Sequence, residues 1–390
     1  MRKRRFALVF VTLPLAFYVY ACSDSTENPG GSTNPDASSD VQTNPSDTGT
    51  DGNNPTDGSV DSGTDADSGP LATCVGNPLT ADGGTPDGGV DAGLTNQIAS
   101  GAFLDGPVYV DLNGGMLVLS EVFGRRVATV APDGGALQTL RQLSNNPTDP
   151  IPIGNAIGKS DGGNDLVLTA QAPGQVTQAQ RAVIRTKLDD GGVQTTTTLP
   201  SPVSSPNDLV VSKKGETYFT DPAYQASPTT NVQTGVYRLL GDGGVEPIQT
   251  FAAGVSDRAN GIALSPDEST LYVSFTDAKR ITKYTVNANG SVTTPVVTTM
   301  TFIDSPDGIA VDVGGNIWVA EANVNGATNS GRVEVFAPDG TKWGEIPFPN
   351  NRPTGVAFGG SDNKTLYVTT EKGNSASGLF VFRSRCVGLR

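Results

Sequence analysis

The sequence predicts an all-β chain folded as a six-bladed β-propeller behind a signal peptide and a disordered acidic tether. One short pattern recurs along it: a small or proline residue, a polar residue, usually a glycine, a run of apolar β-formers, a Gly-containing turn and a second apolar run. The polar residue of each copy is Asp105, Asn155, Asn207, Asn260, Asp307 and Thr354, at spacings of 50, 52, 53, 47 and 47. Repeats of roughly 40 to 50 residues with four strands each mark propeller blades. Helical periodicity is scarce over the same span, and strand-like runs dominate.

The first 21 residues read as a lipoprotein signal. Met-Arg-Lys-Arg-Arg is a basic start, and Phe6 to Tyr20 is an apolar run too short to be read first as a spanning helix. Val19-Tyr20-Ala21-Cys22 resembles a bacterial lipobox, with Cys22 as the lipidated first residue; the alternative is an ordinary secretory peptide cleaved near Ala21. The expected location is the outer membrane, facing the periplasm or the surface, with contact to lipid only through the anchor. Residues 22–93 are Asp, Ser, Thr, Gly, Asn and Pro with almost no large apolar side chain, so the segment cannot bury enough surface to offset chain entropy. After Cys22 it carries 13 acidic residues and no Lys or Arg, whereas residues 94–390 hold 27 acidic and 22 basic residues. Most of the negative charge therefore describes a solvated stalk. With no basic stripe to neutralise phosphates, nucleic acid is excluded as a partner.

Three cysteines remain to be placed. With Cys22 lipidated, Cys74 at the end of the stalk and Cys386 near the C-terminus form an even pair, expected as a disulfide in an oxidising compartment; two independent thiols are the alternative. A propeller closes where its ends meet, and Leu94 to Ser100 is placed to give a strand to the last blade. Residues 94–390 are long enough for one large domain. Second strands are expected at Met116 to Ser120, Leu166 to Ala170, Thr217 to Thr220, Thr270 to Phe275, Asn316 to Ala320 and Thr365 to Thr370. Hairpin turns such as Asp242-Gly243 and Asn289-Gly290 separate later strands. Because a closed propeller leaves no sheet edge to cover, a monomer is expected.

The first strand of each blade lines the central channel, so the six polar positions should face one another. That ring holds two carboxylates, three amides and a hydroxyl, the oxygen donors that suit Ca²⁺ or another hard divalent cation. No histidine exists in the chain, which argues against ordinary zinc, copper or non-haem iron sites. The bland reading is that Asn-Gly and Asp-Gly simply end strands in turns. Trp318 and Trp343 read as packing residues rather than a sugar platform, and Asp208 and Asp221 as residues that fix a blade.

Ser205 to Tyr224 (Ser-Pro-Asn-Asp-Leu-Val-Val through Tyr-Phe-Thr-Asp-Pro-Ala-Tyr), Arg258 to Asp267 and Ser305 to Ala320 resemble the gluconolactonase/regucalcin family, which includes luciferin-regenerating enzymes. The resemblance runs from about residue 94 to the end. It implies a six-bladed propeller with one divalent metal, usually Ca²⁺, near the channel mouth. Carried onto this sequence, the ligands are Asp105, Asn207, Asn260 and Asp307. Asp105 stands where the family has glutamate, one carbon longer, and Leu168-Thr169-Ala170-Gln171 lacks a histidine frequent in gluconolactonases. The resemblance implies a lactone or ester hydrolase, exported on the reading of the N-terminal signal, in which the metal polarises the carbonyl and Asp307, or Asp105, takes the proton from water. Asn155, Asn207 and Thr354 are the candidates for substrate contact. A surface-tethered binding propeller of NHL or streptogramin-lyase-like type is the alternative.

Overall fold

A computed structural model describes residues 76–79, 96–112, 114–143, 151–160, 163–171, 181–189, 191–224, 233–252, 257–293, 295–297, 300, 305–322, 330–349, 351–371 and 377–389. The chain divides between Asp65 and Ala66, and every described residue lies in the second part. The signal, Cys22, nearly all of the tether and Cys74 lie outside the described residues. No helix among these residues is long and apolar enough to cross a membrane.

Six four-stranded antiparallel sheets make the blades. Strand β1 (Asn96–Gly101) precedes blade one, which is β2 (Leu104–Val110), β3 (Met116–Glu121), β4 (Arg126–Ala131) and β5 (Gly134–Gln142). Blade two is β6 (Ile151–Ser160), β7 (Gly163–Gln171), β8 (Ala182–Lys187) and β9 (Val193–Thr198). Blade three is β10 (Leu209–Val211), β11 (Thr217–Asp221), β12 (Thr234–Leu239) and β13 (Val245–Phe251). Blade four is β14 (Ala259–Leu264), β15 (Thr270–Phe275), β16 (Arg280–Thr285) and β17 (Val296–Val297). Blade five is β18 (Ser305–Val311), β19 (Ile317–Ala322), β20 (Ser330–Phe336) and β21 (Lys342–Pro349), and blade six is β22 (Arg352–Gly359), β23 (Thr365–Glu371) and β24 (Ser377–Arg383). The runs expected as second strands are buried on both faces, as in Thr217–Asp221, while the polar Val193–Thr198 forms an exposed outer strand.

The expected closure is present: β1 pairs antiparallel with β24, Gln97 opposite Phe380 and Ser100 opposite Gly378. Blade six therefore takes its outer strand from the other end of the folded chain. Around the circle, core clusters form between neighbouring blades, because each sheet is apolar on two faces and must bury both. Trp318 of blade five is fully buried against Phe358 of blade six, rings edge to face at 5.4 Å, and Tyr109 of blade one stacks on Tyr367 of blade six at 6.0 Å. Both tryptophans pack as expected: Trp318 donates to Asp312 Oδ2 at 3.1 Å, and Trp343 to Asn316 Oδ1 at 2.9 Å.

After β24 the chain turns under blade five, where Val313 N–H donates to the Val387 carbonyl and Leu389 N–H to that of Val311. Cys386 is buried and disulfide-bonded. Beside it, the Arg385 N–H donates to the Pro78 carbonyl at 3.2 Å and Asn77 Nδ2 donates to the Trp343 carbonyl at 3.2 Å.

Candidate active site in the central channel

The register of each blade fixes which residues are equivalent. Opposite the second strands, Val108 faces Val118, Ala156 faces Val167, Val210 faces Tyr218, Ala263 faces Tyr272, Ala310 faces Trp318 and Ala357 faces Tyr367. Three residues upstream of these lie Asp105, Ile153, Asn207, Asn260, Asp307 and Thr354. Five of the six ring positions read from the sequence therefore share one level. Asn155 does not: in blade two the equivalent residue is Ile153, buried with Val122 and Ile151. The repeat spacing alone places the ring two residues too late there, because Gly154 precedes its asparagine instead of following it. Nonetheless Asn155, like the other ring residues, lines the central cavity of about 490 Å³.

In five blades the innermost strand carries a bulge at this level, between Asp105 and Val108, Pro152 and Asn155, Ala259 and Ile262, Pro306 and Ile309, and Pro353 and Gly355. In the remaining blade, β10 starts just after Asn207-Asp208. A bulge kinks the strand and re-aims a side chain, which is how residues on a channel wall come to point together. The motif glycines serve a second purpose. A Cβ on Gly261 would lie 2.2 Å from the Asp307 carbonyl oxygen, and one on Gly308 would lie 2.7 Å from that of Thr354. One on Gly154 would lie 2.6 Å from the Asn207 carbonyl, and one on Gly355 2.4 Å from Pro107 Cδ. None of these four lies in the left-handed region, and only Gly106 does, with φ 51°. Neighbouring backbones cross here too closely for a side chain, so turn formation does not explain these Asn-Gly and Asp-Gly pairs. Gly261→Ala is expected to lose about 2 kcal/mol of stability in denaturant unfolding. Gly241→Ala, with open space around it, is the near-neutral control.

Hydroxyls on the second strands lock the ring carbonyls. Thr169 donates to the Asn207 carbonyl, Thr220 Oγ1 to that of Asn260 at 2.5 Å, and Ser274 Oγ to that of Asp307 at 2.7 Å. Each bond joins one blade to the next. The Ser or Thr at one place in otherwise apolar runs (Ser120, Thr169, Thr220, Ser274, Thr369) is the signal that finds this ladder in the sequence.

Two residues read as structural divide. Asp221 is buried and its carboxylate accepts N–H bonds from Ser204 (2.6 Å), Ser205 (3.1 Å) and Ala223 (2.9 Å), so it pins the approach to Asn207 as expected. Asp208 does more. Its Oδ1 accepts from Leu209 N–H and its Oδ2 from Ile262 N–H, tying blade three to four, and it also lines the channel, in the place a glycine holds elsewhere.

The ring is crowded with negative charge. Burial, with the charges of Asp208 and Glu371 adding, pushes Asp105 up to about 7, against the Gly106 N–H bond that its carboxylate accepts. Burial also pushes Asp208 up to about 7, and Asp221 to about 6. Asp307 stands well above the usual carboxylate range through burial and the charges of Asp105, Asp208 and Glu371, with Arg352, paired to Glu371, opposing.

The donor set fits a hard cation. Asn155 gives its Nδ2 hydrogens to the Gly106 carbonyl and Ser120 Oγ, leaving Oδ1 buried without a partner among the described residues. Asn260 gives both to Tyr224 and Thr276. Amide oxygens left over beside carboxylates that repel one another are what Ca²⁺ or a similar ion satisfies. Among the described residues no three His, Cys, Asp or Glu side chains cluster closely enough to hold a metal without amides.

Comparison with known proteins shows which family and fold this chain resembles. The sequence profile of the SMP-30/Gluconolactonase/LRE-like region matches residues 104–372. A gluconolactonase of Zymomonas mobilis subsp. mobilis is 30% identical over 285 residues, 68% of this chain and 75% of that protein. Among solved structures, a gluconolactonase from Xanthomonas campestris superposes with a TM-score of 0.55 at 28% identity, covering 72% of this chain and 86% of that one. Regucalcin from Agrobacterium tumefaciens str. C58, described as a calcium-binding protein, superposes with a TM-score of 0.55 at 18% identity, covering 73% and 92%, which shows the shared fold.

Proposed function

Since the chain belongs to the SMP-30/gluconolactonase/LRE-like family, we propose that it hydrolyses a lactone or related ester at the channel ring with the help of a hard divalent cation, Ca²⁺ foremost. The observation that carries this reading is the convergence of Asp105, Asn207, Asn260 and Asp307 at one level of one cavity, with Asp208 beside them. Asp105 and Asp307 would hold the cation together with the amide oxygens of Asn207 and Asn260. Bound there, it supplies a Lewis acid for the lactone carbonyl.

The chain's own groups supply the proton chemistry. Among the described residues no donor occupies the Asp307 carboxylate, so an Oδ atom is available to take a proton from the attacking water. Before a cation binds, burial and the neighbouring carboxylates hold Asp307 well above the usual carboxylate range; a bound cation would lower it again, so the general-base role rests on the oxygen left free at the cavity. Asn155, Asn207 and Thr354 line the same cavity and are assigned to substrate hydroxyls. Thr354 Oγ1 donates to the Leu104 carbonyl at 2.8 Å and lies 3.0 Å from Thr369 Oγ1, contacts that fix it on the cavity wall. The test is hydrolysis of D-glucono-1,5-lactone and of simple aliphatic lactones, followed by acid release in Ca²⁺ and in chelator. A full panel without turnover, in a protein that also binds no cation, would favour the surface-tethered binding propeller.

The N-terminal segment supports export. In this reading residues 1–21 are a lipoprotein signal, Cys22 carries lipid, residues 22–93 are a tether, and the Cys386 disulfide pairs with Cys74. In a bacterial host, Cys22→Ser is expected to move the protein from the membrane to the soluble fraction; retention in the membrane would overturn the anchor.

A further inference from the structure

Asp221-Pro222-Ala223-Tyr224 follows the second strand of blade three and reaches across to blade four. Ala223 holds a left-handed backbone, φ 57°, which costs a residue with a Cβ on the order of 1 kcal/mol and persists only where its surroundings hold it. The buried Asp221 carboxylate does so by accepting the Ala223 N–H. The turn delivers the Tyr224 ring beneath the Arg258 guanidinium, 4.8 Å from its centroid, and Arg258 is itself fixed by a two-pronged bond to Asp277. The phenol hydroxyl lands beside Asn260.

The direction of the hydrogen bonds there is determined by where the chain of them ends. Thr276 Oγ1 donates to the Pro306 carbonyl at 3.0 Å, a group that can only accept. Tyr224 in turn donates to Thr276 Oγ1 at 3.0 Å. Both hydroxyl protons are thereby committed, and both oxygens offer lone pairs to Asn260 Nδ2, at 3.2 Å from Tyr224 and 3.1 Å from Thr276. Flipping the amide would set its oxygen against two oxygens with no proton to give. Asn260 therefore keeps its nitrogen on the wall and its oxygen for the channel.

We infer that Tyr224 is a positioning residue, holding the Asn260 amide so that its oxygen is presented to a divalent cation in the ring. This rests on the cation reading above. Nothing in the repeat pattern marks Tyr224, since it lies outside the innermost strands.

The experiment is calorimetric titration of CaCl₂ into the chelator-stripped full chain, wild type and Tyr224→Phe, with the melting temperature of each cation-free protein. Loss of one of the two anchors is expected to weaken Ca²⁺ binding about five- to tenfold, with the cation-free melting temperature unchanged because the ring remains under Arg258. Thr276→Val, which removes the other anchor, is expected to weaken binding likewise. Equal affinity in wild type and Tyr224→Phe overturns the inference, as does a cation-free melting temperature lowered in step with affinity. A wild type that takes up no Ca²⁺ overturns the cation reading, and this inference with it; the wild-type arm reads that outcome separately.

Discussion

Asp307→Asn is expected to lower lactone turnover on the order of a thousandfold, the scale of removing a general base, and to weaken cation binding as well. The substitution keeps size and leaves an amide oxygen in place, but removes both the charge and the proton acceptor. The fold is expected to survive it, because the bond that seats this residue runs from Ser274 Oγ to its backbone carbonyl and is untouched. The cluster of Asp105, Asp208 and Glu371 also loses one member of its mutual repulsion, so the variant should melt no lower than the cation-free wild type. Steady-state kinetics at saturating Ca²⁺ checks the first expectation, and metal analysis after gel filtration the second. Wild-type kcat in this variant would remove Asp307 from the mechanism whatever its part in cation binding.

Adding Ca²⁺ to chelator-stripped protein is expected to raise the melting temperature by roughly 6 °C. A ligand at a thousand times its Kd stabilises the folded state by about 4 kcal/mol, and a folded part near 300 residues gains roughly 1.5 °C per kcal/mol on the usual entropy scale. The physical source is the ring itself: without a cation, carboxylates face one another in a buried place with Arg352 as the counter-charge that acts on Asp307. A cation replaces that repulsion by attraction and gives the Asn207 and Asn260 oxygens a neighbour of opposite sign. Mg²⁺ is expected to do less, since it demands a tighter octahedral shell than a mixed ring of amides and carboxylates offers. No shift with Ca²⁺, and no metal in the purified protein, would show that Asp105, one carbon shorter than the glutamate of the family, does not complete the site.

The blades were legible because each is a local event: apolar runs alternating with Gly turns make four-stranded sheets, and the spacing of the repeat counts them. So was the closing strand, since Asn96–Gly101 has nothing else to pair with once blade six is short of a strand. Four ring residues carried their own signal in Asp-Gly, Asn-Asp and Asn-Gly. Where the sequence misplaced a residue, at Asn155, the fault lay in reading an Asn beside a Gly without its register; only the pairing of Asn155 with Leu168 and of Ala156 with Val167 shows that Ile153 holds the ring position.

The number of blades, the closure and the residue types at the channel were readable from the amino-acid chain. These depend on patterns within one blade or between successive ones. Only the folded chain shows that Asp208 joins the ring, which carbonyls of the next blade the recurring second-strand hydroxyls reach, and that Tyr224 extends over to Asn260. Each of these is a contact between blades, set by how closely two backbones approach around a closed circle, and that distance is a property of the circle rather than of any one repeat.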